Sequence, residues 1–265
     1  MRIVAVKRKE CFSPNSVEND TAILHAVVDK IAQEGHEVTI LPEEKIEGTA
    51  DVWLTMGRLP ATIEYLKRQE DEGALVLNSG YGLEQCSRSY LLEVMRANDI
   101  PMPEATGSYG YWVKRGDSAA QSARDVIYAA DEEQLCLVKA DFLARDIRDV
   151  VVSAHVPGDL VKFYGVGEDF FRTCYPTEDG KSKFGDERRN GAPHYYRYDQ
   201  TALRASAVRL ASLVGIDIYG GDCIITPQGD FRIIDFNDWP SFSRCRGEAA
   251  DAIVRLVRHQ TSKSE

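Results

Sequence analysis

The hydrophobic pattern of the first hundred residues changes period repeatedly. An apolar run at residues 2–6 has the length of one buried strand. Ile23, Leu24, Val27, Val28 and Ile31 then recur at helical spacing from about Asn19 to Gly35, where glycine supplies a stop. Strands are predicted at Glu37–Leu41, Asp51–Thr55 and Ala74–Leu77, with a helix at Ala61–Glu72. Such alternation predicts a small parallel sheet flanked by helices. A further helix, about Gln85–Ala97, ends before Asp99-Ile100-Pro101-Met102-Pro103, whose two prolines read as a linker and set a first boundary at 100/101.

Beyond the linker the pattern is mostly that of strands: Tyr111–Lys114, Asp125–Ala129, Asp149–Val156, Leu160–Val166 and Phe170–Cys174. The turn Pro157-Gly158-Asp159 marks a second boundary, giving segments 1–100, 101–156 and 157–265. Residues 176–194 are polar and read as a mobile loop, with Arg188 and Arg189 placed to close as a lid. Helices at about Asp199–Val214 and Arg246–Gln260 bracket a hairpin.

That hairpin is the most informative stretch. Two apolar runs flank Pro227-Gln228-Gly229-Asp230, a turn cluster, and if Thr226 pairs with Phe231 the antiparallel register puts Asp222 opposite Asp235. Asn237, two residues on, projects from the same face. Like charges about 4.5 to 5.5 Å apart across a ladder repel, so a cation between them is expected. Two carboxylates and an amide oxygen without His or Cys suit Mg²⁺ or Mn²⁺ rather than zinc. Since Mg²⁺ commonly shares its shell with substrate phosphates, the cation implies a nucleotide.

Composition narrows the setting. With 43% hydrophobic and 28% charged residues the chain is ordinary globular material, and no apolar stretch approaches the roughly 20 residues that span a bilayer. The apolar core at the start is too short for a signal peptide, so a cytoplasmic setting is the expectation. Six scattered cysteines form no CxxC pair and read as reduced thiols. A net charge of −10 argues against nucleic acid or an anionic membrane as partner. It leaves homo-oligomers open.

Lys114 closes the apolar run Tyr111-Trp112-Val113, where its ammonium can meet phosphate as a point charge. The loop after it holds one glycine, Gly116, and is no P-loop. At this point the order of features resembles the ATP-grasp superfamily over nearly the whole chain. Asn78-Ser79-Gly80, Cys86-Ser87-Arg88 and Ile100-Pro101-Met102-Pro103 look like the passage from its N-terminal domain into the nucleotide-binding part. Val113-Lys114 looks like its first phosphate-binding strand. Gly221-Asp222 with Ile234-Asp235-Phe236-Asn237-Asp238-Trp239-Pro240 is similar to its metal signature. Asp235 stands where the family more often has Glu, although Asp occurs in its inositol-phosphate kinase branch.

The resemblance implies an α/β chain in which a small parallel α/β domain precedes two α+β subdomains clasping ATP. It implies that Asp222, Asp235 and Asn237 hold Mg²⁺, and that Lys114 meets phosphate. Lys162 and Arg172, on adjacent strand-like runs, resemble the basic positions near the terminal phosphate. Lys162 lies in an otherwise apolar strand and needs a partner, either a phosphate or a neighbouring carboxylate. Val151-Val152-Ser153-Ala154-His155-Val156 corresponds to the adenine hinge but lacks its Gln-Glu pair, leaving main-chain contacts around Ser153 and Val156. Asp159 is either a ribose ligand or a turn aspartate. His155 and His194 read as structural.

Ser13 and Asn15, just after the first strand, and Arg58 and Arg88 are candidate contacts to the acceptor substrate. The implied activity is a ligase joining a small carboxylate to an amine or thiol through an acyl phosphate. A small-molecule kinase of the inositol-phosphate type and a non-catalytic nucleotide-binding module are the alternatives.

Overall fold

A computed structural model of the chain describes residues 1–14, 16–118, 120–176 and 189–263. Asn15, Arg188 and most of the expected mobile loop lie outside the described residues.

The first segment builds β1 (Arg2–Lys7), α1 (Val17–Gln33), β2 (Glu37–Pro42), β3 (Val52–Thr55), α2 (Pro60–Asp71), β4 (Leu75–Leu77), α3 (Gly80–Glu84) and α4 (Arg88–Ala97). Its strands form a parallel sheet in the order β2-β1-β3-β4. Next come β5 (Tyr111–Arg115), β6 (Val126–Ala129), α5 (Glu132–Ala144) and β7 (Val150–Ala154), with an antiparallel sheet ordered β6-β5-β7. The last part holds β8 (Asp159–Val166), β9 (Phe170–Cys174), α6 (Gln200–Val214), β10 (Ile218–Ile225), β11 (Phe231–Asp238) and α7 (Arg246–Thr261). Its sheet is antiparallel, ordered β11-β10-β8-β9.

Helix α5 has no counterpart in the sequence reading. Leu135, Val138 and Phe142 pack towards the middle sheet, but Leu137 and Leu143 are exposed on the other side, so no single apolar stripe betrays the helix. Asp131 caps it, accepting from the Gln134 N–H at 2.8 Å.

The main core crosses the 156/157 boundary. Ile3, Ala5, Ile23 and Leu54 pack in one cluster with Val166, Ile218, Trp239 and Ile253, so the first and last sheets share their interior. Asn78 pins the two: its carboxamide accepts from the N–H groups of Asp217 at 3.0 Å and Ile218 at 2.7 Å and donates to the Ile218 carbonyl at 2.8 Å. The middle sheet has only a small core of its own around Val113, Phe142 and Ile147. Among the described residues no helix is long and apolar enough to cross a membrane.

The hairpin differs from expectation at its turn. Phe231 pairs with Ile225 rather than Thr226, which lengthens the connection by one residue, and a bulge between Asp222 and Cys223 leaves Ile234 without a ladder partner. The shift at the bulge offsets the shift at the turn, and Asp222 still faces Asp235.

Candidate active site

Between the middle and last sheets lies a cleft of about 630 Å³, closed on its third side by the C-terminal ends of the first sheet. Ladder register sets its floor. Cys174, Lys162, Asp222 and Asp235 stand opposite one another across β9, β8, β10 and β11, so one row of side chains crosses the whole sheet. The Lys162 ammonium bonds Asp222 Oδ1 at 3.0 Å, and Asn237 Nδ2 donates to Asp235 Oδ2 at 3.3 Å. Glycine is needed beside Asp222, because a Cβ on Gly221 would lie 2.2 Å from the Asp235 carbonyl oxygen.

Cations from the other elements meet this row. Lys114, from β5, donates to the Ile234 carbonyl at 2.7 Å, the group that the bulge releases from the ladder. Arg88, the first residue of α4, bonds Asp235 at 3.3 Å through Nε and the carbonyls of Arg115 and Ser118 through Nη1 at 3.2 and 3.4 Å. Burial works to raise the Asp235 pKa, but Arg88 and Lys114 outweigh it and hold the carboxyl well below the usual carboxylate range. Burial in turn lowers the Lys114 pKa, with Asp235 opposing.

A second charged cluster lines the cleft beside the first sheet. Arg8 bonds Asp20 at 3.2 Å, Asp238 Oδ2 at 3.1 Å and the carbonyls of Met56, Asp238 and Trp239. Arg58 bonds Asp238 Oδ1 at 2.5 Å, while buried Glu43 accepts from the backbone N–H groups of Arg58 at 2.6 Å and Leu59 at 2.7 Å. Asp238 is thereby held below its ordinary pKa despite its burial. Seven Lys and Arg side chains line the cleft against four Asp, which makes it electropositive inside an acidic protein.

The opposite end is ringed by aromatic and apolar groups. Trp112 donates through Nε1 to His155 Nδ1 at 3.1 Å, Arg189 lies 3.4 Å from the Tyr128 ring centre, and Asn190 donates to the Val156 carbonyl at 3.2 Å. Burial, then Arg189, lowers the His155 pKa, favouring neutral imidazole.

The structure therefore brings together Lys114, Lys162, Asp222, Asp235, Asn237, Arg58, Arg88, Ser153 and Val156 along one cleft. Three expected residues fall elsewhere. Asp159 is 2% exposed, and its carboxylate accepts from the N–H groups of His194 at 2.7 Å and Tyr196 at 2.9 Å, so it serves the backbone rather than a ribose. Ser13 is buried and donates to Asp20 at 2.6 Å, behind the cleft wall. Arg172 shares the sheet face of Lys162 but turns outward to Glu248 of α7 at 2.9 Å and does not line the cleft. Sequence reasoning missed Arg8, Asp20, Asp238 and Trp112 as cleft residues. Of these only Asp238, adjoining Asn237 at a strand end, carried a local signal.

Among the described residues no group of three or more His, Cys, Asp and Glu side chains converges as a metal site. The two carboxylates and carboxamide of Asp222, Asp235 and Asn237 form an oxygen donor set of the kind hard cations take, with substrate oxygens and water completing the shell.

No family model matches the chain, and no curated protein matches it by sequence. Solved structures do match it. The chain is similar over 97% of its length to a RimK-domain ATP-grasp protein from Sphaerobacter thermophilus, with a TM-score of 0.68, 18% identity and 99% of that chain covered. It is similar over 99% of its length to the D-alanine-D-alanine ligase from Coxiella burnetii, with a TM-score of 0.70, 11% identity and 97% of that chain covered. The ATP-grasp ligase PsnB, solved with a minimal precursor, matches over 96% of this chain and 98% of its own at a TM-score of 0.61 and 14% identity. The chain has the ATP-grasp fold.

Proposed function

We propose that the protein is an ATP- and Mg²⁺-dependent ligase that joins a small carboxylate to an amine or thiol. The observation that carries this reading is the convergence of Lys114, Lys162 and Arg88 on the Asp222–Asp235 pair at one end of a cleft whose other end is lined by Trp112, His155 and Val156. A nucleotide fits such polarity, with its base among the rings and its phosphates among the cations. The ligases among the solved structures of the same fold support it, one of them solved with Mg and ADP.

When bound, Mg²⁺ supplies charge neutralisation and orientation of the phosphates. Asp222, Asp235 and Asn237 are its ligands in this reading. Lys162 and Arg88, which now neutralise those carboxylates, turn to phosphate oxygens. In this reading Arg88 is a phosphate contact rather than the acceptor contact expected from the sequence, which its bonds to Asp235 and to the carbonyls of Arg115 and Ser118 support. Arg58 remains the acceptor contact, oriented by Asp238 and Glu43.

The acceptor carboxylate oxygen attacks the γ-phosphorus and ADP leaves, giving an acyl phosphate. The amine then attacks the acyl carbon, the C–O bond to phosphate breaks, and a proton leaves the nitrogen. Neither step requires a protein nucleophile. The test is turnover of Mg-ATP with a panel of small acids in hydroxylamine. Hydroxamate formation with ADP release is expected; a stable phosphorylated acceptor instead would make the protein a kinase, and absence of Mg-dependent ATP binding would end both readings.

A further inference from the structure

The strand end at residues 151–156 carries neither Gln nor Glu, yet a carboxamide from a distant part of the chain stands beside it. Asn190 lines the cleft next to His155 and Val156, half-buried, and donates through Nδ2 to the Val156 carbonyl at 3.2 Å. Its neighbour Arg189 anchors it there, 3.4 Å from the centre of the Tyr128 ring.

The carboxamide is locked in one orientation from both ends. The Trp112 indole only donates, and it donates to His155 Nδ1 at 3.1 Å. Burial favours neutral imidazole, so the single ring proton sits on Nε2. His155 in turn bonds the Asn190 side chain, and with Nδ1 taken that bond runs from Nε2–H to Asn190 Oδ1. At the far end the Val156 carbonyl only accepts, which demands Nδ2. Turning the carboxamide over would set its oxygen against that carbonyl and its nitrogen against the imidazole N–H. Among the described residues, one N–H on Nδ2 is left for a ligand. The Val156 carbonyl has a second lone pair to offer beside it.

We infer, on the reading of the cleft as a nucleotide site, that Asn190 selects adenine over guanine, with His155 as the residue that positions it. The wall presents an acceptor and a donor 3.2 Å apart, the Val156 carbonyl and the Asn190 N–H. Adenine offers the complement, a 6-amino donor next to a ring-nitrogen acceptor. Guanine and hypoxanthine carry an oxygen at that position, which would face the Val156 carbonyl as acceptor against acceptor. Phosphates held at the cationic end keep the base from sliding along the wall to restore a match. A carboxamide free to turn over would satisfy either kind of purine. The relay from Trp112 through His155 removes that freedom.

Calorimetric titration of the full chain with Mg-ATP, Mg-GTP and Mg-ITP tests this, ITP separating the 6-position from the 2-amino group of guanine. The wild type is expected to bind ATP about ten- to a hundredfold more tightly than either oxo-purine nucleotide. Asn190→Ala should level the three affinities by weakening ATP alone. His155→Phe keeps a ring but removes the lock, and should narrow the preference by improving GTP and ITP. A merely structural role for His155 would instead weaken all three alike. Wild-type affinities that are equal or favour an oxo-purine, or an ATP preference that survives Asn190→Ala, overturn the assignment while leaving the nucleotide site standing. Absence of binding by all three would overturn the nucleotide reading itself, and the selection by Asn190 with it.

Discussion

Asp222 and Asp235 face one another across the β10–β11 ladder only because Ile234 is bulged out between them and the turn. In a regular ladder continued from the Ile225–Phe231 pair, Asp222 would oppose Ile234, and Asp235 would point to the other face. The bulge thus does two things: it gathers both carboxylates on the cleft face and frees the Ile234 carbonyl for Lys114. Asp235→Asn keeps the shape and removes the charge. The expected result is a loss of ATP turnover by roughly a hundredfold or more, with an unchanged circular dichroism spectrum. Unaltered turnover would remove Asp235 from the metal site.

Asp238 should matter chiefly for stability. Its side chain is 4% exposed and is held between Arg8 and Arg58. Removing one partner of a buried ion pair typically costs about 3–5 kcal/mol. Asp238→Asn is expected to lose that much in urea melts at neutral pH. The carboxyl pKa is depressed in the folded state, so its contribution is complete above the ordinary carboxylate range and disappears as pH falls below it. The gap between wild type and variant should therefore narrow between about pH 5 and pH 2. A gap that stays constant would show that the carboxylate charge is not what stabilises the junction.

How much of this was legible in the sequence varies with the range of the interaction. The Asp222–Asp235 pair follows from strand alternation and a turn cluster, and an error of one residue at the turn is cancelled by the bulge, which no local signal announces. The Arg8–Asp238 contact joins residues 230 positions apart, and nothing near either one foretells it. Arg172 shows the limit of alternation: it fixes the sheet face, but β9 is the edge strand, and a long side chain there reaches Glu248 on α7 instead of the cleft. Asp159 reads as a turn residue open to a ligand, yet the returning chain at 194–196 covers it and uses both its oxygens. Helix α5 escaped notice because its outer side is as apolar as its inner one.

Lys114 should couple nucleotide binding to proton uptake. Burial lowers its pKa, and phosphate oxygens brought near would raise it. At alkaline pH, ATP binding should therefore take up protons, seen as a dependence of the calorimetric heat on the buffer's ionisation enthalpy. Lys114→Met should abolish the uptake and weaken ATP binding about ten- to a hundredfold, or about 1.4–2.8 kcal/mol. The folded protein should tolerate that change comparatively well, because burial already works against the ammonium's charge. A variant that keeps the proton uptake would place its source on another group.

Trp112 offers a direct report on the base end. Trp53 and Trp239 are fully buried in the cores, whereas Trp112 lines the cleft, hydrogen-bonded to His155 and edge-on to Tyr128. A nucleotide base entering beside it changes the polarity and contacts of that indole alone. Mg-ATP is therefore expected to alter the intrinsic fluorescence, and Trp112→Phe to remove the change while leaving the signal of the two core indoles. The comparison separates the orientation of the nucleotide from its binding. A fluorescence change that survives Trp112→Phe would mean that the base lies elsewhere or that binding repacks a core. Calorimetric binding without any fluorescence change in the wild type would likewise place the base away from Trp112.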